Sequence, residues 1–180
     1  MKKNINGFTL IELLVVICVV VVLFSILLPV LNSTREKARR ISGMNNLRQM
    51  GVAIINYANS NTEGYFPNSG SDADGRTAGS LAMLSDSLKD TAVLMDPSSG
   101  RSSAKSWSEF MNCDYAYVKG FSFSSTASDS AIVLNKSNIH VNYGNVLFAD
   151  GHVIGFKGSD WTKNKNIRNP TLSALMSAGV

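Results

Sequence analysis

Cysteine is scarce. The 180 residues hold only Cys18 and Cys113, so no disulfide framework can be built, and no CxxC pair exists for zinc or thiol redox chemistry. Charge is scarce too: Asp, Glu, Lys and Arg make up 17% of the chain against about 25% in ordinary soluble domains, which excludes charge-driven disorder for most of it. The net charge of +4, from 17 Lys and Arg against 13 Asp and Glu, is too small without clustering to indicate nucleic acid or an anionic surface. The length suits one ordinary domain, or a smaller domain with an attachment device.

What is present in quantity is an apolar run. Between Leu13 and Leu28 only Ser25 is polar, and the stretch extends from Phe8 to Leu31. At ~1.5 Å per residue a helix of that length exceeds a ~30 Å hydrocarbon core, which predicts one membrane span. A buried core helix would not normally be apolar on every side, as Val19 to Val22 require. A secretory signal peptide has a shorter apolar core ending at small residues for cleavage. This run ends instead at Ser33, Thr34, Arg35, Glu36, Lys37, Ala38, Arg39 and Arg40, as a retained anchor would. One residue is out of place. Glu12 is a carboxylate near the start of the helix, where an acidic side chain costs up to ~3 kcal/mol at mid-bilayer and less toward the edge. Either it finds a partner, or it sits at the interface and favours the N-terminal helix dipole.

The residues around it, Met1-Lys2-Lys3-Asn4-Ile5-Asn6-Gly7-Phe8-Thr9-Leu10-Ile11-Glu12, resemble the class III leader of type IV pilins and type II secretion pseudopilins. Both have a short basic leader, a Gly, then Phe-Thr-Leu-Ile-Glu opening a membrane helix. The resemblance implies that a prepilin peptidase cuts between Gly7 and Phe8 and that Phe8 becomes an N-methylated terminus. It also implies that Glu12 pairs with the terminal amine of a neighbouring subunit, and Pro29 matches a helix-kinking proline of the same family. The implied partners are the peptidase, an inner-membrane assembly platform with its motor, other pilin subunits and membrane lipid. The implied location is the bacterial inner membrane, single-pass with the C-terminal head in the periplasm, then a pilus or pseudopilus. The flanking charges point the other way. Arg35, Lys37, Arg39 and Arg40 outnumber Lys2 and Lys3, so the positive-inside rule alone places the C-terminal part in the cytoplasm. The leader motif is the more specific signal and is followed here.

The expected fold class is α+β, pilin-like: a long N-terminal helix, half membrane and half amphipathic, packed on a small antiparallel β-sheet head. The expected segments are a leader at 1–7, a transmembrane helix at 8–31, an amphipathic helix at 32–62 and a β-rich head at 63–180. In the second helical half Ile41, Met44, Leu47 or Arg48, Gly51, Ile54 or Ile55 and Ala58 recur at three and four residues, a stripe facing a domain. The cluster from Asn59 to Gly64 ends it. Residues 68–80 read as a polar loop; the spacing of Asp72, Asp74 and Gly75 is like part of a calcium loop, but the acidic residue such a loop needs at its bidentate position is missing. Leu81, Leu84 and Leu88 suggest a short helix, and Thr91 to Met95 a strand. Better strands are Tyr115–Val118, Ala131–Leu134, Val146–Ala149 and His152–Phe156. Asp150-Gly151 between the last two predicts a two-residue hairpin with both turn residues at positive φ. The tail from Thr162 is polar, then weakly helical.

His140 is followed by nine residues and then Asp150-Gly151. That spacing resembles the bacterial prepilin-type family named for His, nine residues, Asp-Gly, which shares the pilin leader. Relatives often carry Cys where Asp96 stands here, so the resemblance leaves Cys113 without the family's disulfide partner. Two other readings compete. His140, Asp150 and His152 supply two imidazoles and a carboxylate for metal or acid/base work, but no elbow nucleophile, phosphate-binding Gly loop or third strong ligand accompanies them. A membrane-anchored binding module for DNA or an exported substrate is the other, although the basic residues are not interleaved with aromatics as a nucleic-acid groove requires. The favoured expectation is a structural filament subunit, a pilin or pseudopilin, not an enzyme, with no cofactor, no metal and no nucleic-acid partner.

Overall fold

The computed structural model describes residues 8–69, 78–101, 113–123, 126–136 and 138–167. Gly7 and the leader, the Asp72–Gly75 loop and the tail beyond residue 167 lie outside the described residues. The chain divides into two compact units, Met1–Ala38 and Arg39–Val180, and helix α1, Leu10–Ser60, supplies residues to both.

In the first unit residues 8–35 are all exposed, although nearly all are apolar from Phe8 to Leu31. This stretch is long and apolar enough to cross a membrane. Pro29 lies inside the helix, where its ring removes the N–H that would bond the carbonyl of Ser25.

In the second unit α1 presents a buried face of Gly43, Leu47, Met50, Gly51, Ala53, Ile54 and Ala58. The expected stripe is therefore real but out of phase at its start. Ile41 is 58% exposed, Met44 is only half-buried, and Gly43 faces the core instead. Periodicity sets the spacing of a stripe, and it cannot reveal that the tightest approach to the sheet falls on a residue without a side chain.

Against this face lies a four-stranded antiparallel sheet in sequential order, β1 (Tyr115–Tyr117), β2 (Ala131–Asn135), β3 (Tyr143–Phe148) and β4 (Val153–Lys157). The architecture is α+β, as expected. A register shift between Ala131 and Val133 turns the side chains of Ile132 and Val133 into the same cluster. Strands β1 to β3 are buried on both faces, while β4 is mostly half-buried or exposed. One face joins Tyr115, Tyr117, Val133 and Leu147 to Leu47, Met50 and Ile54 of α1. The other carries Ala116, Leu134, Val146 and Phe148 and is covered by Trp161 and Ile167 from the region after β4. Trp161 lies in a 3-10 turn, Trp161–Lys163.

A short helix α2, Ala78–Ala82, and the turns after it bury Leu81, Leu84 and Leu88 in the same core as α1. Thr91–Leu94 is not a strand but a 3-10 helix. The Asp90 side chain accepts from the Ala92 N–H at 2.8 Å, and that cap winds the backbone into a turn that its apolar residues alone do not announce.

The β3–β4 hairpin forms where expected, with a different turn. Gly151 N–H donates to the Phe148 carbonyl at 2.9 Å and Phe148 N–H to the His152 carbonyl at 3.0 Å. The loop is thus Ala149, Asp150 and Gly151, and only Gly151 has positive φ, at 89°. The two-residue turn gives way to a three-residue loop with Gly151 at the positive-φ bulge position, and the Ala149 N–H donates to the Ser130 carbonyl at 2.9 Å instead of pairing within the hairpin.

Candidate functional site

Two places hold the residues singled out by the sequence. In the first unit, Phe8 is 74% exposed and helix α1 begins two residues later. The Thr9 N–H and hydroxyl both donate to Glu12 Oε2, at 2.8 and 2.7 Å, and the Glu12 N–H donates back to Thr9 Oγ1 at 3.3 Å. Thr9-Leu10-Ile11-Glu12 is a capping box, in which the side chains of the first and fourth residues satisfy each other's orphan N–H groups. Within one chain, then, the Glu12 carboxylate is occupied by its own helix terminus. Thr9 was missed as a functional residue, although Thr followed three residues later by Glu before an apolar run is a legible signal.

In the second unit His140 is buried and its Nε2 lies 3.3 Å from Asp96 Oδ2. Asp96 is a hub. Its Oδ2 also accepts from Asn135 Nδ2 at 2.9 Å and from the Tyr115 hydroxyl at 3.4 Å, while Oδ1 accepts from the Ser98 N–H at 2.9 Å. Burial pushes the Asp96 carboxyl up, but the hydrogen bonds from His140, Ser98 and Asn135 outweigh it and hold the group below its ordinary value. The network spreads outward. Asp96 N–H donates to Asp114 Oδ2 at 3.0 Å, and Asp114 Oδ1 lies 3.3 Å from Arg101 Nη1, so each buried acid faces a basic side chain. Asn135 Oδ1 accepts the Asn145 N–H at 2.8 Å, and Asn145 Nδ2 donates to the Arg40 carbonyl of α1 at 3.2 Å. Gly43 explains why α1 can lie so close. A Cβ there would meet Asp96 Oδ2 at 2.5 Å and Asn145 Nδ2 at 3.3 Å.

Asp150 does not join this cluster. It pairs with His152, whose ring stacks on Phe148 with centroids 4.3 Å apart, and its Oδ1 accepts the His152 N–H at 3.0 Å. Burial raises the Asp150 carboxyl, and the His152 hydrogen bonds more than offset that. His140 precedes β3 and Asp150 follows it, so the length of that strand, about 17 Å at ~3.3 Å per residue, separates them. The trio His140, Asp150 and His152 is therefore not one site. Among the described residues no three His, Cys, Asp or Glu side chains are placed to hold a metal.

Chemically the Asp96 network is a lock. Four donors occupy its carboxylate, and neither neighbouring nucleophile is activated. Burial pushes the Cys113 thiol up to about 12, and burial followed by the Asp96 charge pushes the Tyr115 hydroxyl up as well, so both stay protonated. In this unit the residues that sequence reasoning missed are Asp96 as a hub, Asn135 and Asn145. Asn135 and Asn145 lie within strands that are otherwise apolar, which is the signal that could have found them.

The hairpin yields a ranking. Asp150→Asn keeps an oxygen to accept the His152 N–H and is expected to be nearly neutral in a thermal melt. Gly151→Val places a β-branched residue at positive φ with its Cβ 3.2 Å from Ile55 Cδ1, and is expected to cost about 1–3 kcal/mol. A metal or acid/base site at Asp150 requires the reverse order, together with a melting shift on adding Zn²⁺ or Ca²⁺.

No curated protein and no solved structure matches the chain significantly. Over residues 32–116, just under half of its length, the chain is similar to a family described as a protein of unknown function, DUF1559.

Proposed function

We propose that the chain is a prepilin-type structural subunit, a pilin or pseudopilin, and not an enzyme. The observation that carries this reading is in the first unit: an exposed apolar stretch from Phe8 to Leu31 with a single carboxylate, Glu12, held at the first turn of the helix beside Phe8. In the mechanism a prepilin peptidase cuts after Gly7, removes Lys2 and Lys3, and frees an amine at Phe8 that becomes N-methylated. Membrane helices then bundle by apolar contact, and the Glu12 carboxylate exchanges its bonds to Thr9 for the amine of a neighbouring subunit. A charge pair inside such a bundle sets axial register, because a slipped register strands a buried ion. The carbonyl freed by Pro29 is tolerated where neighbouring helices surround it. The assembly platform and motor of the inner membrane supply the work, and the heads, placed in the periplasm, come to cover the filament.

The test is processing. In a host with an active prepilin peptidase, intact-mass and terminal-peptide spectrometry is expected to find N-methylated Phe8 as the first residue, and Gly7→Val is expected to retain the leader. A chain that still begins at Met1 in that host contradicts the proposal. A minor filament subunit, or an anchored module that binds DNA or an exported substrate, is the second reading. It is supported only by the basic cluster Arg35, Lys37, Arg39 and Arg40.

A further inference from the structure

We propose that the residues just after the apolar run form a basic collar that selects anionic phospholipid in the membrane leaflet through which the chain leaves the bilayer. The collar requires that the stretch from Phe8 to Leu31 cross a membrane, not that the chain assemble into filaments. Its charge is concentrated. Arg35, Lys37, Arg39 and Arg40 fall within six residues that hold one acid, Glu36. Residues 41–180 carry eleven Lys and Arg and eleven Asp and Glu, so the formal charge there is zero. Beyond the apolar run, the whole positive surplus of +3 therefore lies in that one short segment. A negatively charged lipid surface attracts cations only within about a Debye length, which is where this segment stands and where most of the chain does not.

The arrangement of the cations selects the partner. Residues 35–40 lie inside α1. At about 100° per residue Arg39 falls ~40° from Arg35, Arg40 ~140° from it in the same sense, and Lys37 ~160° from it in the other. No gap between them reaches half of the circumference. A partner protein or a DNA duplex approaches from one side and meets only part of such a ring, whereas a headgroup layer that the helix passes through meets all of it. At ~1.5 Å per residue the collar is ~7.5 Å tall, close to the ~5–7 Å of headgroups in one leaflet.

The side chains also reach the right level. Arg35 follows Leu31 by four residues, ~6 Å along the helix. Helical side chains lean toward the helix N-terminus, which here is toward the membrane, and the long stems of Arg and Lys carry that lean to the phosphates. Arg35, Lys37 and Arg39 are exposed, whereas Arg40 is half-buried with its guanidinium 4.4 Å from the centre of the Tyr143 ring. Between Leu31 and the collar, the hydroxyls of Ser33 and Thr34 donate to the Val30 carbonyl at 2.8 and 2.9 Å. Their protons are spent within the helix, so the three exposed cations are the donors offered to phosphate.

The experiment reconstitutes the full chain in phosphatidylcholine vesicles and follows spin-labelled phosphatidylglycerol and, separately, spin-labelled phosphatidylcholine by electron paramagnetic resonance, where lipid against the protein gives a motionally restricted signal. At low salt phosphatidylglycerol is expected to associate about fivefold more strongly, and 1 M salt, with a Debye length of ~3 Å, to remove most of that preference. Combining Arg35→Gln, Lys37→Gln and Arg39→Gln should bring the two lipids nearly level, while each alone should lower the preference from about fivefold to about threefold, as a ring of equal contributors requires. Combining Lys157→Gln, Lys163→Gln and Lys165→Gln removes as much charge from other exposed positions and should change nothing. The proposal is overturned if the native chain takes both lipids equally, if the second triple variant loses as much preference as the first, or if one collar substitution removes all of it. A DNA duplex that binds the vesicles through the same three residues, while the lipids associate equally, overturns it in favour of nucleic acid. No restricted signal from either lipid overturns it by removing the span, whereas a chain that still begins at Met1 contradicts the filament reading alone.

Discussion

Asp96→Ala is expected to lower the stability of the second unit by about 3–5 kcal/mol, the usual cost of removing one partner from a buried ion pair. Three side-chain donors, from His140, Asn135 and Tyr115, and the Ser98 N–H would all lose the same acceptor. The substitution also opens space beneath Gly43, where no side chain stands to fill it. For a unit of this size the melting temperature should fall by about 10 °C or more. The pH dependence has a definite sign. Because the folded-state value of Asp96 lies below its ordinary 3.8, its contribution is full above that value and disappears as pH falls through the lower folded one. Melts of wild type and Asp96→Ala should therefore differ most at neutral pH, and the gap should narrow as pH falls below 3.8 toward the lower folded value. A gap that stays constant into strong acid would show that the carboxylate charge is not its source.

The second large effect concerns Glu12, where two roles share one residue. If Glu12 serves only as the fourth residue of the capping box, Glu12→Gln should be silent, since Gln fills that position equally well. If it serves as the charge partner of a neighbouring amine, Gln keeps the cap and loses the pair. We expect Glu12→Gln and Glu12→Val to insert into the membrane at least as well as the native chain, since each removes a carboxylate from the helix. Both should reduce filament yield about a hundredfold, the equivalent of ~3 kcal/mol for an unmatched buried charge. Sheared-filament yield against membrane-bound subunit measures both arms. Normal filaments from Glu12→Gln would reduce Glu12 to a helix cap. Thr9→Ala completes the comparison: it should cost only ~1 kcal/mol of helix capping and leave most assembly intact.

Much of this architecture was legible before any coordinates. The apolar run is long enough that only one element fits it, and the four strands are short β-branched and aromatic runs bounded by turn residues. The misreadings have local causes. Thr91–Leu94 is too short for any period to appear, so its winding is decided by the Asp90 cap. Trp161 and Ile167 sit in a turn region with no regular pattern, and their role as the cover of the second sheet face emerges only once the sheet exists. The polar hub was hidden for a different reason. Asp96 marks the end of an apolar stretch and reads as a turn residue, while its partners other than Ser98 lie 18 to 44 positions away. No spacing rule links such residues, because the meander and not the sequence interval brings them together. The His140 and Asp150 motif shows the converse: a fixed interval in the sequence becomes the two ends of one strand, serving two unrelated contacts.

The sequential strand order has a temporal corollary. β1, β2 and β3 each pair with the next strand to emerge, so the sheet closes through local connections, the longest of them residues 118–130. The helix wall is the exception. Asn145, whose side-chain amide donates to the Arg40 carbonyl, is made 105 positions after Arg40. At ~5–20 residues per second that interval lasts about 5–20 s during synthesis. Throughout it Leu47, Met50, Ile54 and Ala58 have been made and their β3 counterpart Leu147 has not. The core that α1 shares with β3 can therefore close only late in synthesis, after the rest of its cluster has been made.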